Sequence, residues 1–210
     1  MAMRSPQRAG EWNGPLDAGH LLFRGMMHAL LFHRTHAMSD STLPQRPLDQ
    51  TAFDEWPDAV RALFDGSSLA SKTGFTASLL TVDANQHIRT SLLGIGELYA
   101  PDSRTLCIAL WPQARAARAI AQSGRAALTF VFEEAFYQVQ LLASPLPPAE
   151  GDDSGLVYMH CSIESAETQS VRYARLTSGI TFELDMGREE VLDRWERQIE
   201  HLKRAAALGG

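Results

Sequence analysis

The chain has little cysteine, no excess of basic residues and no uninterrupted apolar segment long enough to cross a bilayer. Its two cysteines, Cys107 and Cys161, stand singly in apolar segments, so a metal or redox motif of the CxxC type is absent. Free cysteines of this kind are usually small core hydrophobes, which favours buried thiols in a reducing cytoplasm. The apolar segment Leu21–Phe32 is interrupted by Arg24 and His28 and is too short for a membrane helix.

The excess of charge is acidic. Lys and Arg number 19, Asp and Glu number 25, and the net charge is −6. This balance argues against a general binder of nucleic acid or anionic membranes, which would need a basic face. A local basic pocket for one small phosphate is still compatible with it. No Ser/His/Asp arrangement or paired-carboxylate motif indicates hydrolytic chemistry.

The N-terminal region differs from the rest of the chain. We expect residues 1–48 to be an extension and linker without a fixed fold, and residues 49–210 to form one domain that ends in a helix. Met38 is followed by an ordinary polar stretch, SDSTLPQRP, which fits a start at that point. The alternative is an amphipathic N-terminal helix that packs on a partner. A signal peptide is disfavoured, because His33 and His36 stand where small residues should precede cleavage.

Apolar periodicity predicts a mainly β domain with flanking helices. Helices are expected over Asp49–Phe64, Gln113–Gln122 and Glu189–Ala207, and strands over Phe75–Val82, Ile88–Leu98, Leu106–Trp111, Ala126–Phe132, Phe136–Leu142, Val157–Ile163 and Ile180–Leu184. Many short strands at even spacing favour a barrel or a sandwich. We favour the barrel, because consecutive strands form hairpins that can close.

A basic segment follows the third predicted strand. Arg115 and Arg118 are three residues apart, so on a helix they share a face near its N-terminal end. Helix N-termini bind anions, and arginine adds bidentate hydrogen bonds to phosphate oxygens. Arg89 and Thr90 on the neighbouring strand offer further donors. Spacing alone equally fits a solvated helix face, and that alternative stays open.

Several stretches in order resemble one known family. They are HIRTSLLGIGELYA, LCIALWPQARAARAI, GRAALTFVFEEAFYQVQLLA, SGITFEL and RWERQIEHL, which together extend over roughly Leu69 to Leu202. This succession resembles the pyridoxamine 5'-phosphate oxidase-like family of FMN-binding split β-barrels. The resemblance implies a homodimer with FMN at the dimer interface and a small-molecule substrate. The expected fold is therefore a split β-barrel of the FMN-binding type.

The resemblance also implies a set of cofactor-binding residues. In that family one strand lies along the flavin and its phosphate chain, a loop with a basic residue holds the phosphate, and a polar side chain approaches from the other subunit. The matching residues here are Arg89, Thr90, Ser91, Leu110, Trp111, Arg115, Arg118, Gln138 and Gln140. No catalytic residue and no metal ligand is implied.

The phosphate loop departs from the family pattern. Family loops often carry hydroxyl or basic residues on both sides of the arginine, whereas Arg115 stands between Ala114 and Ala116. Each lost hydrogen bond to a charged group removes ~1.5–3 kcal/mol of binding. The C-terminal substrate segment of the true oxidase is also not recognisable, so we do not expect vitamin B6 synthesis.

Three functions remain as alternatives. The first is an FMN-dependent oxidoreductase of unknown substrate, with a deazaflavin as a variant cofactor. The second is a non-catalytic flavin- or heme-binding protein on the same barrel. The third is a structural dimer that has lost its cofactor, and the presence of Ala114 and Ala116 on either side of Arg115 supports it.

Other polar residues receive structural interpretations. His160 alternates with apolar neighbours and is expected to be a packed strand histidine rather than a metal or heme ligand. Glu133 and Glu134 fall in a hairpin turn, which disfavours an acid/base pair. Arg172 and Arg175 precede the last predicted strand and could reach a dimer partner's pocket.

Overall fold

The computed structural model describes residues 48–185 and 187–209. The predicted N-terminal extension therefore lies outside the described residues, apart from Leu48. Three helices are present over this part of the chain: α1 (Asp58–Leu63), α2 (Arg115–Ser123) and α3 (Arg188–Gly209). The strands are β1 (Asp49–Phe53), β2 (Thr76–Val82), β3 (Ile88–Gly94), β4 (Leu98–Tyr99), β5 (Thr105–Leu110), β6 (Arg125–Phe132), β7 (Ala135–Leu146) and β8 (Val157–Ser170).

The eight strands form one antiparallel sheet. The order is β3-β2-β6-β7-β8-β5-β4, and β1 pairs with the C-terminal half of β8. The two edge strands of this path, β3 and β4, are joined by a single 3-10 turn, Ile95–Glu97. That link spans at most ~14 Å, whereas the edges of a flat seven-stranded sheet would lie ~29 Å apart. The sheet must therefore curl until its edges approach each other, which gives the predicted split β-barrel.

The inner face of the curled sheet forms the core. Leu79, Leu128, Val139 and Ala166 are register partners on four consecutive strands, and all four are buried. The alternate positions of the same strands point outward. Helix α2 closes the barrel with Ala116 and Ile120, and the buried face of α3 is formed by Trp195, Gln198, Ile199, His201, Leu202 and Ala205. None of the helices in the described ranges is long and apolar enough to cross a membrane.

Three sequence-based element predictions were wrong. The strand predicted over Ile88–Leu98 ends at Gly94, and the 3-10 turn Ile95–Glu97 separates it from β4. The helix predicted over Asp49–Phe64 is a strand over Asp49–Phe53 and a helix only over Asp58–Leu63, because the first segment pairs with Ala166–Ser170 far along the chain. The segment Ile180–Leu184 is extended but belongs to no strand. Its alternate apolar side chains are buried in part by α3, and Phe182 meets Trp195 edge to face with ring centroids 6.1 Å apart.

Candidate functional site

Strand β3 places its three candidate residues on opposite faces of the sheet. Thr90 pairs with Leu80 and points outward, flanked by Ile88 and Leu92, which are 71% and 55% exposed. This face of β3 therefore presents two exposed apolar side chains with a hydroxyl between them. Arg89 and Ser91 lie on the other face of the strand, as the two-residue period requires.

Arg89 is engaged within its own hairpin. Its Nε donates to Oδ2 of Asp83 at 2.8 Å. The same carboxylate accepts from the backbone N–H groups of Asn85 and His87, at 2.9 and 3.0 Å. The hydrogen bond from His87, followed by that from Arg89, lowers the pKa of Asp83. A phosphate bound by Arg89 would therefore compete with a carboxylate that also organises the turn.

Gln138 and Gln140 lie on the same outward face as Thr90. The register aligns Thr90, Leu80, Ala127 and Gln140 in one row across β3, β2, β6 and β7. The adjacent row consists of Leu92, Ser78, Thr129 and Gln138. Three strand spacings separate the two ends of each row, which amounts to ~14 Å. Neither Gln138 nor Gln140 can therefore form a hydrogen bond to the same edge of a small ring as Thr90 of the same chain.

The residues after β5 form the helix terminus that the sequence predicted. Leu110 is buried, Trp111 is 49% exposed, and Arg115 begins α2. Ala114 is the N-cap residue and provides no side-chain hydrogen bond, and the first turn carries no acidic residue. Arg115 and Arg118 are exposed and form no ion pair with any residue in 48–185 or 187–209. Uncapped amides and free guanidinium groups make this helix end attractive to an anion.

The two alanines beside Arg115 have different environments. Ala116 is 1% exposed and packs in the core, so its side chain faces away from the solvent at the helix start. Ala114 is half-buried at the N-cap, where a serine would be well placed to accept a backbone N–H. A hydroxyl at position 116 would therefore be buried in the core. Of these two positions, only 114 can supply a hydrogen-bond donor to an anion at the start of α2.

The structure does not bring all nine candidates into one cavity. Gln140 and Ile88 line a groove of about 550 Å³ on the outward face. Trp111 and Leu92 line a neighbouring pocket of about 340 Å³. Arg118 instead lines a third groove, which α2 forms with the β7–β8 connection. The candidates thus divide among the outward face of the sheet, the start of α2 and the hairpin turn.

Sequence reasoning missed several polar residues beside this surface. Glu97, Gln198 and Thr76 line the same pocket as Trp111. Oε2 of Glu97 accepts from the N–H of Gly94 at 2.7 Å, and burial raises the pKa of this carboxyl group. The pair of glycines in GIGE at a strand end was the available signal, since Trp195 packs directly onto both. Gln198 reaches this pocket because α3 packs against it, and no local sequence pattern predicts that packing.

The remaining polar residues were placed as follows. His160 is half-buried on β8 and pairs with Cys107, consistent with a packed strand residue. Glu133 and Glu134 form the β6–β7 turn, both with positive φ. The ion-pair partners of Arg172 and Arg175 are residues of the same chain, Asp49 at 3.1 Å and Glu134 at 3.3 Å.

A buried polar cluster joins the β7–β8 connection to α3. Nδ1 of His201 lies 3.0 Å from Oδ1 of Asp152, and both side chains are almost fully buried. Asp153 adds a third donor atom, and the three lie within 4.8 Å of one another. Nη2 of Arg204 is 3.2 Å from the same His201 nitrogen, and its positive charge opposes a metal ion there. We interpret the cluster as a set of buried polar contacts that fastens the loop to the helix.

A known bacterial protein is similar to this chain in sequence. No protein-family model matches the sequence. The uncharacterized protein YclD of Bacillus subtilis (strain 168) is 33% identical over 147 residues, which cover 70% of this chain and 95% of YclD.

Similar solved structures share low sequence identity with the chain. One is a candidate pyridoxamine 5'-phosphate oxidase from Lactobacillus delbrueckii, with 16% identity, 54% of this chain and 94% of that chain covered, and a TM-score of 0.42. Another is named F420 reductase, with 11% identity, 53% and 98% covered, and a TM-score of 0.41. HutZ, the heme storage protein of Vibrio cholerae, has 11% identity, 51% and 89% covered, and a TM-score of 0.36. The chain belongs to the same family as YclD, and its curled antiparallel sheet is a split β-barrel.

Proposed function

We propose that this chain binds FMN on the outward face of β3 and the start of α2, and that it is a flavin-dependent oxidoreductase acting on a small molecule. The observation that carries the proposal is the surface formed by Ile88, Thr90 and Leu92. These residues present two exposed apolar side chains and a hydroxyl in line, which suits a flat ring system with polar edges.

The start of α2 supplies the second requirement, an anion site. Its first-turn amides have no capping side chain, and Arg115 has no carboxylate partner among the described residues. Backbone N–H groups would hold the phosphate oxygens, and the Arg115 guanidinium would add charge-assisted hydrogen bonds. Arg89, which already holds Asp83, would contribute less than Arg115.

The resemblance to FMN-binding split barrels supports a homodimer. Gln138 and Gln140 stand ~14 Å from Leu92 and Thr90 of their own chain, and in such a dimer they would approach a flavin held by the β3 of a second copy. One protomer would then provide the apolar surface and the phosphate site, and its partner the amide groups. When bound, FMN supplies the two-electron chemistry, and the protein supplies position and electrostatics.

Titration of FMN into the purified protein tests the cofactor proposal. We expect a yellow complex with absorption near ~450 nm and quenched flavin fluorescence. Arg115→Ala should weaken FMN binding at least about tenfold, the effect of one charge-assisted hydrogen bond. Arg61→Ala on α1 is the matched control, since Arg61 is an exposed helical arginine outside the proposed site. Equal affinities of the two variants, or a protein that takes up no FMN, would overturn the assignment.

A second measurement separates an enzyme from a binding protein. NADH or NADPH should bleach the bound flavin, and added acceptors should restore its colour. Bleaching by neither reductant would favour the non-catalytic alternative. A colourless dimer that ignores both FMN and a deazaflavin would favour the cofactor-free structural alternative, and sedimentation with and without FMN would establish its oligomeric state.

A further inference from the structure

The pocket between α3 and the end of β3 contains buried polar groups that the proposed FMN site does not use. It encloses about 340 Å³, within the range of small-molecule sites. We call it the α3 pocket, and its lining includes Thr76, Glu97, Trp111, Phe182, Trp195 and Gln198. Trp111, at 49%, is the most exposed of these six residues.

Two polar atoms of this pocket have no partner. Oγ1 of Thr76 and Oε1 of Gln198 are buried and accept or donate no hydrogen bond within the described residues. The two residues are 7% and 6% exposed. A buried polar group without a partner costs ~1–3 kcal/mol, so such atoms are rare in native proteins and call for a partner. Both residues line the same pocket, so a single molecule there could satisfy both.

The chemistry of the lining defines the partner. An amide oxygen accepts hydrogen bonds, the Glu97 carboxyl group lies beside it, and a threonine hydroxyl can do either. Burial raises the pKa of Glu97, and the charge of Arg194, which lines the same pocket, acts in the opposite direction without reversing that shift. The walls are aromatic, with Trp111, Phe182 and Trp195 around the polar atoms. This combination selects a planar, uncharged molecule with N–H donors on one edge.

We propose that the α3 pocket binds a small aromatic carboxamide or amino-heterocycle, with Gln198 Oε1 accepting one of its N–H groups. None of the pocket's polar residues belongs to the proposed cofactor set, so the inference does not depend on FMN. Two of its lining residues, Leu92 and Trp111, are nevertheless also among the residues proposed to contact FMN. A molecule in this pocket would therefore lie next to a flavin on the outward face, as a substrate must.

Two probes of one shape test the proposal. Benzamide carries the N–H donors, and methyl benzoate matches its size and neutrality without them. Binding to the FMN-free full-length chain would be measured by calorimetry and by the indole N–H resonances of Trp111 and Trp195, assigned with Trp→Phe variants. We expect benzamide to bind at least about tenfold more tightly than methyl benzoate, as one well-formed hydrogen bond allows, and to shift both indole signals.

Variants of similar side-chain volume test which residues cause the preference for benzamide over methyl benzoate. Gln198→Met removes the acceptor at similar volume and should reduce the preference for benzamide to less than about threefold. Thr76→Val gives an independent variant should Gln198→Met fail to fold, and we expect the same direction. Gln122→Met on the exposed part of α2 is the matched control and should leave the preference intact. Equal binding of the two probes, no benzamide binding up to its solubility limit, or a preference that survives both variants would overturn the proposal.

Discussion

The backbone of Gly96 lies so close to Trp195 that a β carbon at position 96 would overlap the Cβ, Cγ and Cδ1 atoms of that side chain. Because the overlap includes the Cβ of Trp195, rotation of the indole cannot relieve it. The contact holds the 3-10 turn between the two sheet edges directly under α3. The turn that brings the edges together and the helix that forms the α3 pocket are thus fixed by one contact.

Replacement of Gly96 should therefore destabilise the fold. We expect Gly96→Ala to lower the free energy of unfolding by ~1–3 kcal/mol, the usual cost of overpacking a core, measured by urea denaturation. Gly151→Ala is the comparison, since a β carbon there meets no atom within 4 Å and only backbone strain at φ +74° applies. An effect at position 96 no larger than at 151 would show that the helix shifts freely.

Ala114 and Ala116 should respond in opposite ways to a hydroxyl. Ala114→Ser supplies an N-cap to α2 and should raise the free energy of unfolding by ~1 kcal/mol. In the FMN proposal it should also tighten cofactor binding several-fold. Ala116→Thr places a larger polar side chain in the core and should destabilise by ~1–3 kcal/mol without improving FMN affinity. Thermal unfolding and FMN titration of both variants check the pair, and tighter FMN binding by Ala116→Thr would contradict the assigned environments.

The Asp152–His201 pair should make stability depend on acid pH. Burial opposes ionisation of Asp152, but hydrogen bonds from Ser154 and Tyr158 and, as the smallest contribution, the charge of His201 prevail and lower its pKa below 3.8. A depressed carboxyl pKa contributes stability above the unfolded value of 3.8, and that contribution is lost as pH falls through the folded pKa. We expect wild-type stability to fall below pH ~4 more steeply than that of Asp152→Asn.

Urea denaturation at a series of pH values from neutral to acid gives the comparison for Asp152. The variant should be less stable at neutral pH, because His201 loses its carboxylate partner. Asp65 and Asp83 also have lowered pKa values, and they contribute equally to both proteins. Parallel pH profiles for the two proteins would show that the pair has no such role.

The two thiols should be unreactive in the folded protein. Cys107 and Cys161 are fully buried, and burial raises the pKa of Cys107 to about 12 and that of Cys161 further. Because the thiolate is the nucleophile, Ellman's reagent at pH 8 should label neither residue in the native chain. Both should react in denaturant, with a midpoint that coincides with the loss of secondary structure. Fast labelling under native conditions would contradict the buried placement.

Alternation of apolar residues was sufficient to predict most of the barrel. Strands β2 and β6 were located to within one residue, and the helix predicted over Gln113–Gln122 was found as α2. The fold class was confirmed because the hairpin order and the alternation are local properties of the sequence. The structure places each of the nine cofactor candidates on the sheet or on α2 and its preceding loop, and their role in cofactor binding remains a prediction.

The errors have one physical origin, which is pairing or packing with distant residues. Asp49–Phe53 has a composition that permits a helix, and only its register with β8 makes it a strand. Ile180–Leu184 alternates like a strand but belongs to none, and its Phe182 packs against Trp195 of α3 instead. In the sequence, Gln198 is one polar residue within an amphipathic helix. Its burial depends on how α3 docks, which no local pattern specifies.

The central position of β8 has a consequence for how the chain is synthesised. Its three neighbours, β1, β5 and β7, all precede it in the chain. Strand β1, and the edge of β5 that does not pair with β4, therefore cannot pair until residues 157–170 have been synthesised. Strands β2, β3, β6 and β7 pair among themselves and can assemble first as the chain leaves the ribosome. We expect β1 and β5 to gain protection last in pulsed hydrogen exchange during refolding, since loop closure over so many residues is slow. Early protection of β5 would show that a different set of strands nucleates the barrel.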